Sequence, residues 1–285
     1  MNKGQNQLPD DYARFYPEAR GYLSLRDRLR GIARHGVLSV IGPLSRPSPT
    51  PALRLLYCHH VFDDERAGFA SAIDMLMGIG EFISTADVLD VIAGRRALTR
   101  HAFHISFDDG FRNILTNALP VLRARRVPSL MFVATRIIDD PSAFPHLQRL
   151  YPPGRKKVRH ASWSELEDAH GQGLEIGSHA RSHPYLSRIS PSDRELEDEI
   201  MGSREDLQRK FGSCEYFSWP YGGLVDVDQK SLAAVERAGY RACFGAFRGQ
   251  VIPRVTDRFR IPRHHFEPNW PLSHVRYFAQ GGGEA

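Results

Sequence analysis

From Leu53 onward the chain alternates short apolar runs with stretches of helical periodicity, and this alternation limits the fold more than any other feature. The runs are Leu53 to Val61, Phe82 to Ser84, Ala102 to Phe107, Ser129 to Thr135, Leu174 to Gly177, Tyr216 to Trp219 and Ala242 to Phe244. Seven strand candidates with helices in the gaps predict an α/β fold, a distorted parallel (β/α) barrel of about seven strands. Its functional groups are expected where strands end and the following loops begin. Ile114, Leu115, Ala118, Leu119 and Leu122 repeat at helical spacing, and Pro120 among them predicts a kink or a split. Ser192 with Glu195 predicts a capping box opening a helix through Leu207. Residues 136–160, with four prolines, fit neither period and predict an inserted loop over the strand-end face.

Composition narrows the class. With 285 residues, 41% hydrophobic and 25% charged, the chain has the make-up of a globular protein, which sets aside disorder, collagen and a disulfide-stapled miniature. Its cysteines, Cys58, Cys214 and Cys243, are odd in number without C-x-x-C spacing, so they predict reduced, buried side chains. Val37 to Leu44 is broken by Ser39, Gly42 and Pro43 and falls far short of the ~20 residues of a membrane span. Met1 to Asp10 lacks the features of a secretory signal, so the expected location is cytoplasmic.

The net charge of +5 is unevenly placed: residues 1–52 carry eight Lys/Arg against four acids, the remainder thirty against twenty-nine. The predicted barrel thus lacks the charge excess of a nucleic-acid binder, and no nucleic-acid partner is expected. Residues 1–52 read as a basic appendage ending in a linker of Pro43, Pro47, Pro49 and Pro51, and 53–285 as the catalytic domain. Leu23, Leu25, Leu29 and Ile32 among arginines open two readings. One is a basic helix on an anionic membrane, at its inner face; the other is a helix packed on the barrel with its arginines in water.

Three polar clusters follow apolar runs. Ser106-Phe107-Asp108-Asp109-Gly110 puts two carboxylates and a glycine at a strand end, where an Asp-Gly turn with helix-capping acids is an equally good reading. Adjacent carboxylates on a strand diverge, which spoils them as a glycosidase pair but suits one as metal ligand and one as base. His179-Ala180-Arg181-Ser182-His183-Pro184 spaces two histidines four apart, a pair that thirteen histidines also produce by chance. Unlike the helical H-E-x-x-H pattern it brings no glutamate, so its base must come from elsewhere, and the first cluster offers one. Phe217-Ser218-Trp219-Pro220-Tyr221-Gly222-Gly223 reads alone as an aromatic strand ending in a turn.

Together, in this order and each at a strand end, the clusters resemble the polysaccharide deacetylase family, carbohydrate esterase family 4 with its NodB homology domain, over roughly Leu53 to Phe266. The family patterns T-F-D-D-G, H-(S/T)-x-x-H-P and R-x-P-Y-G appear here as Ser106 to Gly110, His179 to Pro184 and Ser218 to Gly222. An H-x-V found on the first strand of one branch appears as His59-His60-Val61, and an L-P-R near the end as Ile261-Pro262-Arg263. The resemblance implies a NodB-like barrel of the TIM type. It implies that Asp109, His179 and His183 bind a divalent metal, zinc first, with cobalt, nickel, manganese and iron as alternatives. It implies Asp108 as general base and the backbone N–H of Tyr221 as a donor to the tetrahedral oxyanion. The chemistry agrees, because two imidazoles and a carboxylate leave open positions on such an ion, where water is acidified and an amide carbonyl polarised.

The chain also departs from the family pattern. Ala180 stands where the family prefers Ser or Thr, and Ser218 replaces the arginine that usually orients the base. Arg263 is the expected substitute. No clear L-x-H supplies the general acid, which leaves His59 and His265 as candidates. His59 is favoured by its H-x-V match, while His265 shares a face with Arg263 if the segment is extended. A buried structural role is the alternative for either.

The expected function is removal of an acetyl or formyl group from the nitrogen of an amino sugar, a nucleotide- or lipid-linked precursor of cell-surface polysaccharide. A non-catalytic carbohydrate-binding or scaffold protein is the competing reading from another class: the ligand set speaks against it, the missing motif arginine and acid for it. Hydrolysis of a small non-sugar amide, as in metal-free relatives, is a third reading, which the complete ligand set disfavours.

Overall fold

The computed structural model describes residues 36, 38, 50–139, 159–282 and 284. Among them are eight strands: β1 (Leu53–Cys58), β2 (Gly80–Phe82), β3 (His101–Phe107), β4 (Ser129–Val133), β5 (Leu174–Ser178), β6 (Tyr216–Ser218), β7 (Ala242–Phe244) and β8 (His264–His265). Their pairings are parallel in the order β7-β6-β5-β4-β3-β1-β8. β2 lies along the first half of β3, with Gly80 opposite His101, and β4 along the second, with Ser129 opposite Ile105. One segment joins the two ends of this order: Ile261 bridges Phe244, and His264 and His265 pair with Leu56 and Tyr57. This is the distorted parallel barrel expected from the alternation, with the second of the seven strands read from the sequence shifted, since Phe82 to Ser84 shares only Phe82 with β2 and Ser84 caps the following helix. β8 is added to those seven. Two residues behind a proline are too few to show a strand period.

Side-chain parity decides what each strand faces. Leu56, Cys58, Phe103, Ile105, Phe107, Met131, Val133 and Ile176 point outward, into one cluster with residues of the surrounding helices such as Phe69, Leu122, Leu166 and Ile200. The alternate residues, Leu53, Leu55, Ala102, Leu130, Phe132, Tyr216, Ala242 and Phe244, meet in a second cluster with Ile261. Each fully buried Leu or Phe contributes roughly 1.5–3 kcal/mol. The inner parity runs from Ser106 to Asp108 and from Gly177 to His179, one step past the ends of β3 and β5, and from Tyr216 to Ser218 at the end of β6, so the polar groups emerge at the carboxyl ends.

The helices are α1 (Arg66–Ile79), α2 (Thr85–Ile92), α3 (Leu119–Ala124), α4 (Thr135–Asp139), α5 (Trp163–Gly171), α6 (Leu186–Ile189), α7 (Asp193–Phe211), α8 (Gln229–Arg237) and α9 (Leu272–Ala279). Pro120 neither splits its helix nor leaves it regular. A π turn, Ile114–Ala118, precedes it, and the Leu119 N–H reaches back to the Ile114 carbonyl. That extra residue makes room for the proline ring and its missing donor. α7 starts after Ser192 but runs one turn past Leu207, to Gly212 at φ 77. Its capping box is half formed: the Ser192 side chain accepts from the Glu195 N–H, while the Ser192 N–H is taken by the Ile189 carbonyl.

The predicted insertion needs correcting at its start, because Arg136 to Asp139 belong to α4; residues 140–158 lie outside the described residues. At its far end His160 bridges Phe111, just past β3. The basic segment around Leu23 to Ile32 also lies outside the described residues. Among those described, no helix is long and apolar enough to cross a membrane, and all three cysteines are buried and free.

Candidate active site

Phe107 ends β3, and the next two residues diverge. Asp108 keeps the inward parity, whereas Asp109 takes a left-handed backbone, φ 72. Its Oδ1 lies 3.6 Å from His179 Nε2 and 3.3 Å from His183 Nε2. One ligand atom from each of the three buried residues falls within 4.8 Å of the others. Ala180, His183 and Tyr221 are left-handed as well, so four of the six such non-glycine residues among those described belong to this site. Each costs of order 1–3 kcal/mol and persists only where the surroundings over-determine it.

The tautomer of His179 shows that the trio suits a cation. Its Nδ1 lies 2.7 Å from the Ser218 carbonyl oxygen. A carbonyl only accepts, so Nδ1 carries the proton and Nε2 presents a lone pair toward Asp109. Burial keeps this imidazole neutral, its pKa lowered to about 4. A lone pair and a carboxylate oxygen facing each other in a buried site are stable together when a cation lies between them, and two nitrogens with one oxygen match a divalent ion of the zinc type.

Asp108 is held by Arg263, which is entirely buried. Nη1 donates to Asp108 Oδ1 at 2.8 Å and Nη2 to Oδ2 at 2.9 Å. The remaining donors go to the Gly245 carbonyl, the Ser106 hydroxyl and the Ser218 hydroxyl at 2.8, 3.0 and 2.7 Å, so all five N–H groups are used. Burial pushes the Asp108 carboxyl up, but the Arg263 charge, the neighbouring His179 and the hydrogen bonds from Arg263 together outweigh it and hold the group below the usual carboxylate range. Arg263 thus reaches Asp108 from outside the motif, and Ser218, at the motif arginine's own position, accepts a hydrogen bond from it.

The second wall is built from β1 and β8. His59 Nε2 lies 4.0 Å from Asp109 Oδ2, and its side chain is 38% exposed. His265 Nε2 lies 3.1 Å from Glu267 Oε1, with Tyr57, His59 and Trp270 around its ring. Burial would raise the Glu267 carboxyl, yet His265 beside it keeps it below its ordinary value. On the opposite wall Tyr221 meets the edge of His183 and stacks on Tyr185, with ring centroids 3.6 Å apart. Gly222 follows at φ 73, where a Cβ would stand 2.1 Å from the Ala246 Cβ, so only glycine lets these two loops touch.

All eight residues singled out in the sequence therefore gather at one end of the barrel. Glu267, Tyr57, Tyr185 and Ser106 were not singled out. Ser106 and Tyr57 had a signal, their inner-face parity with Asp108 and His59; Tyr185 and Glu267 lie two residues beyond His183 and His265 but belong to no motif.

A parallel barrel with an arginine-held aspartate beside a carboxylate and two imidazoles falls in the class of α/β barrels that keep their chemistry at the strand ends. Within that class the chain belongs to the polysaccharide deacetylase family: residues 95–243 match the family model described as Polysaccharide deacetylase. The match includes Asp108, Asp109, His179, His183 and Tyr221, and leaves His59, Arg263 and His265 outside. IcaB from Ammonifex degensii is similar in structure, with TM-score 0.66 and 22% identity over 81% of this chain and 98% of that one. The Streptococcus pyogenes deacetylase PplD, in complex with acetate, has TM-score 0.64 and 16% identity over 82% and 99%. A de-N-acetylase from Aggregatibacter actinomycetemcomitans has TM-score 0.64 and 18% identity over 79% and 99%. At these identities the likeness establishes a shared fold. No curated protein sequence matches the chain.

Proposed function

We propose that this chain is a metal-dependent hydrolase that removes the acyl group from an N-acylated amino sugar. The observation that carries the reading is the convergence of Asp109, His179 and His183 beside an aspartate that Arg263 keeps charged. When bound at the trio, a divalent ion, zinc first, supplies Lewis acidity toward an amide carbonyl and water. The chain's own residues do the rest. Asp108 takes the proton of the attacking water, its plane fixed by the two bonds from Arg263. The backbone N–H of Tyr221 donates to the oxyanion as the carbonyl carbon becomes tetrahedral. His59, at the open side of the site, gives a proton to the departing sugar nitrogen, while His265 packs behind it against Glu267. The products are a small carboxylic acid, acetate or formate, and a free amine.

Substrate and place form the finer part of the proposal. A cytoplasmic enzyme meets nucleotide- or lipid-linked amino sugars rather than a finished polymer, and these are the substrates we assign.

Metal analysis and an acyl-release assay test the reading together. Purified protein is expected to hold about one divalent ion per chain, with His183→Ala losing most of it because two remaining ligands bind far more weakly. Metal-replete protein is expected to release acid from N-acetylated or N-formylated amino sugars. Full occupancy in a His179→Ala, His183→Ala double variant, or no release from any such sugar, overturns the reading.

A further inference from the structure

The loop joining the two histidine ligands is gripped from outside by α7, and we infer that this grip sets the affinity of the site for its metal; the inference rests on the metal reading just given. Ala180 brings no hydroxyl; its N–H donates to the Ser178 hydroxyl at 3.2 Å, and the next backbone groups of the loop are met by other segments. The carbonyls of Ala180 and Arg181 accept from the N–H groups of Thr135 and Arg136 at 3.2 and 2.9 Å. The N–H groups of Arg181 and Ser182 donate to one oxygen, Glu199 Oε2, at 2.9 and 2.8 Å, and the Ser182 hydroxyl donates to Oε1 at 2.5 Å.

The Arg181 side chain then lies across the helix. Nη1 reaches Asp198 Oδ1 at 2.5 Å, and Nε and Nη2 reach Asp206 at 2.8 and 3.0 Å. Between these carboxylates the guanidinium passes over Gly202, where a Cβ would stand 2.3 Å from Arg181 Cζ. Asp198, Gly202 and Asp206 are spaced four apart, so they form one stripe of the helix. A glycine inside a 19-residue helix costs ~1 kcal/mol relative to alanine. The helix gains nothing from Gly202; the arginine needs it.

The consequence falls on the ligands. His183 and Ala180 sit at φ 59 and 63, a backbone that relaxes unless held. Glu199 fixes the two amides between the histidines, and Arg181 fixes the loop to the stripe. Release of either lets His183 drift from His179 and Asp109 in the metal-free protein, and the metal must then restore the geometry at the expense of affinity. None of these residues touches substrate or the reacting atoms; they are positioning residues.

The test is zinc affinity by chelator competition on the full chain, measured beside the melting temperature of the metal-free protein. Gly202→Ala is expected to displace the Arg181 guanidinium and weaken zinc by about 10–100-fold, the usual effect of losing a residue that orients a ligand. Its metal-free melting temperature should hold or rise, since alanine favours the helix. Glu199→Asp keeps the charge but is one methylene short and should weaken zinc similarly. Glu199→Gln should bind close to wild type, because its amide oxygen accepts both backbone N–H groups and its NH₂ donates to Ser182 Oγ. Wild-type affinity in both Gly202→Ala and Glu199→Asp overturns the inference, as does a loss in Glu199→Gln equal to that in Glu199→Asp. Wild-type protein that takes up no zinc overturns the metal reading and this inference with it; zinc bound alike by all four proteins overturns the grip alone.

Discussion

Arg263 meets Asp108 with both arms of its guanidinium, across 155 residues of sequence and with essentially no access to water for either side chain. Breaking such a buried pair from one side leaves an uncompensated charge, which costs ~3–5 kcal/mol. Arg263→Met is therefore expected to lower stability by about that amount in urea unfolding. Asp108→Asn keeps an acceptor for one arm but leaves the Arg263 charge unpaired, so it should fold and bind metal at a reduced stability, with kcat down by ~10²–10⁴, the usual range for a lost general base. Unchanged activity in Asp108→Asn puts the base elsewhere.

Ser218 contributes two groups with separate jobs: its hydroxyl accepts from Arg263 and its carbonyl from His179. Ser218→Ala removes only the first. It should cost ~1–3 kcal/mol, the penalty for a buried donor left unpaired, while zinc content stays at the wild-type level because the carbonyl remains. Loss of zinc in Ser218→Ala would show that the side chain, rather than the backbone, orients His179.

The assignment of the leaving-group acid to His59 is checked by changing the leaving group. An amine must be protonated to depart, whereas a nitrophenolate need not be. His59→Ala is expected to lose ~10²–10⁴ in kcat on an N-acetyl sugar and to keep most of its activity on nitrophenyl acetate. His265→Ala should affect both substrates alike, through packing. The opposite pattern makes His265 the acid, with Glu267 as the group that orients it.

What the sequence showed in advance, and what it hid, follows from where each signal resides. β1, β4 and β7 were legible because each holds three or more apolar residues in a row, whereas β3, β5 and β6 were legible from apolar residues interrupted by single polar or small ones between helical patterns. β8 was not, yet it fixes His265 beside β1 and follows directly on Arg263. The trio of Asp109, His179 and His183 was legible because its members sit in two short motifs, whereas Glu267 and Glu199 have no motif at all. Glu199 lies in a helix rich in Asp, Glu, Arg and Lys, where one more acid looks like solvated surface. Gly202 was the visible irregularity there, and its reason, a guanidinium arriving from another loop, exists only in three dimensions.

The last prediction concerns Glu284, which ties the end of the described chain to the barrel. Its carboxylate lies 2.7 Å from Arg54 Nε and 2.9 Å from His264 Nε2. Burial pushes the Glu284 carboxyl up, but the bonds from His264 and Arg54 outweigh it and bring the pKa down to about 2. An unfolded glutamate titrates near ~4.3. The folded pKa is the lower one, so the folded state binds fewer protons and gains stability as pH rises through this window. The contribution is fully present above about pH 5 and is lost as pH falls toward 2. Glu284→Gln lacks it at every pH, so the gap in melting temperature between wild type and variant should be widest at pH 5–7. It should narrow steadily below that range. Other carboxylates also weaken the protein in acid, but they do so in both proteins and cancel in the gap. A gap that stays constant between pH 7 and pH 3 would mean that the carboxylate's charge contributes nothing and that Glu284 holds the chain end by shape alone.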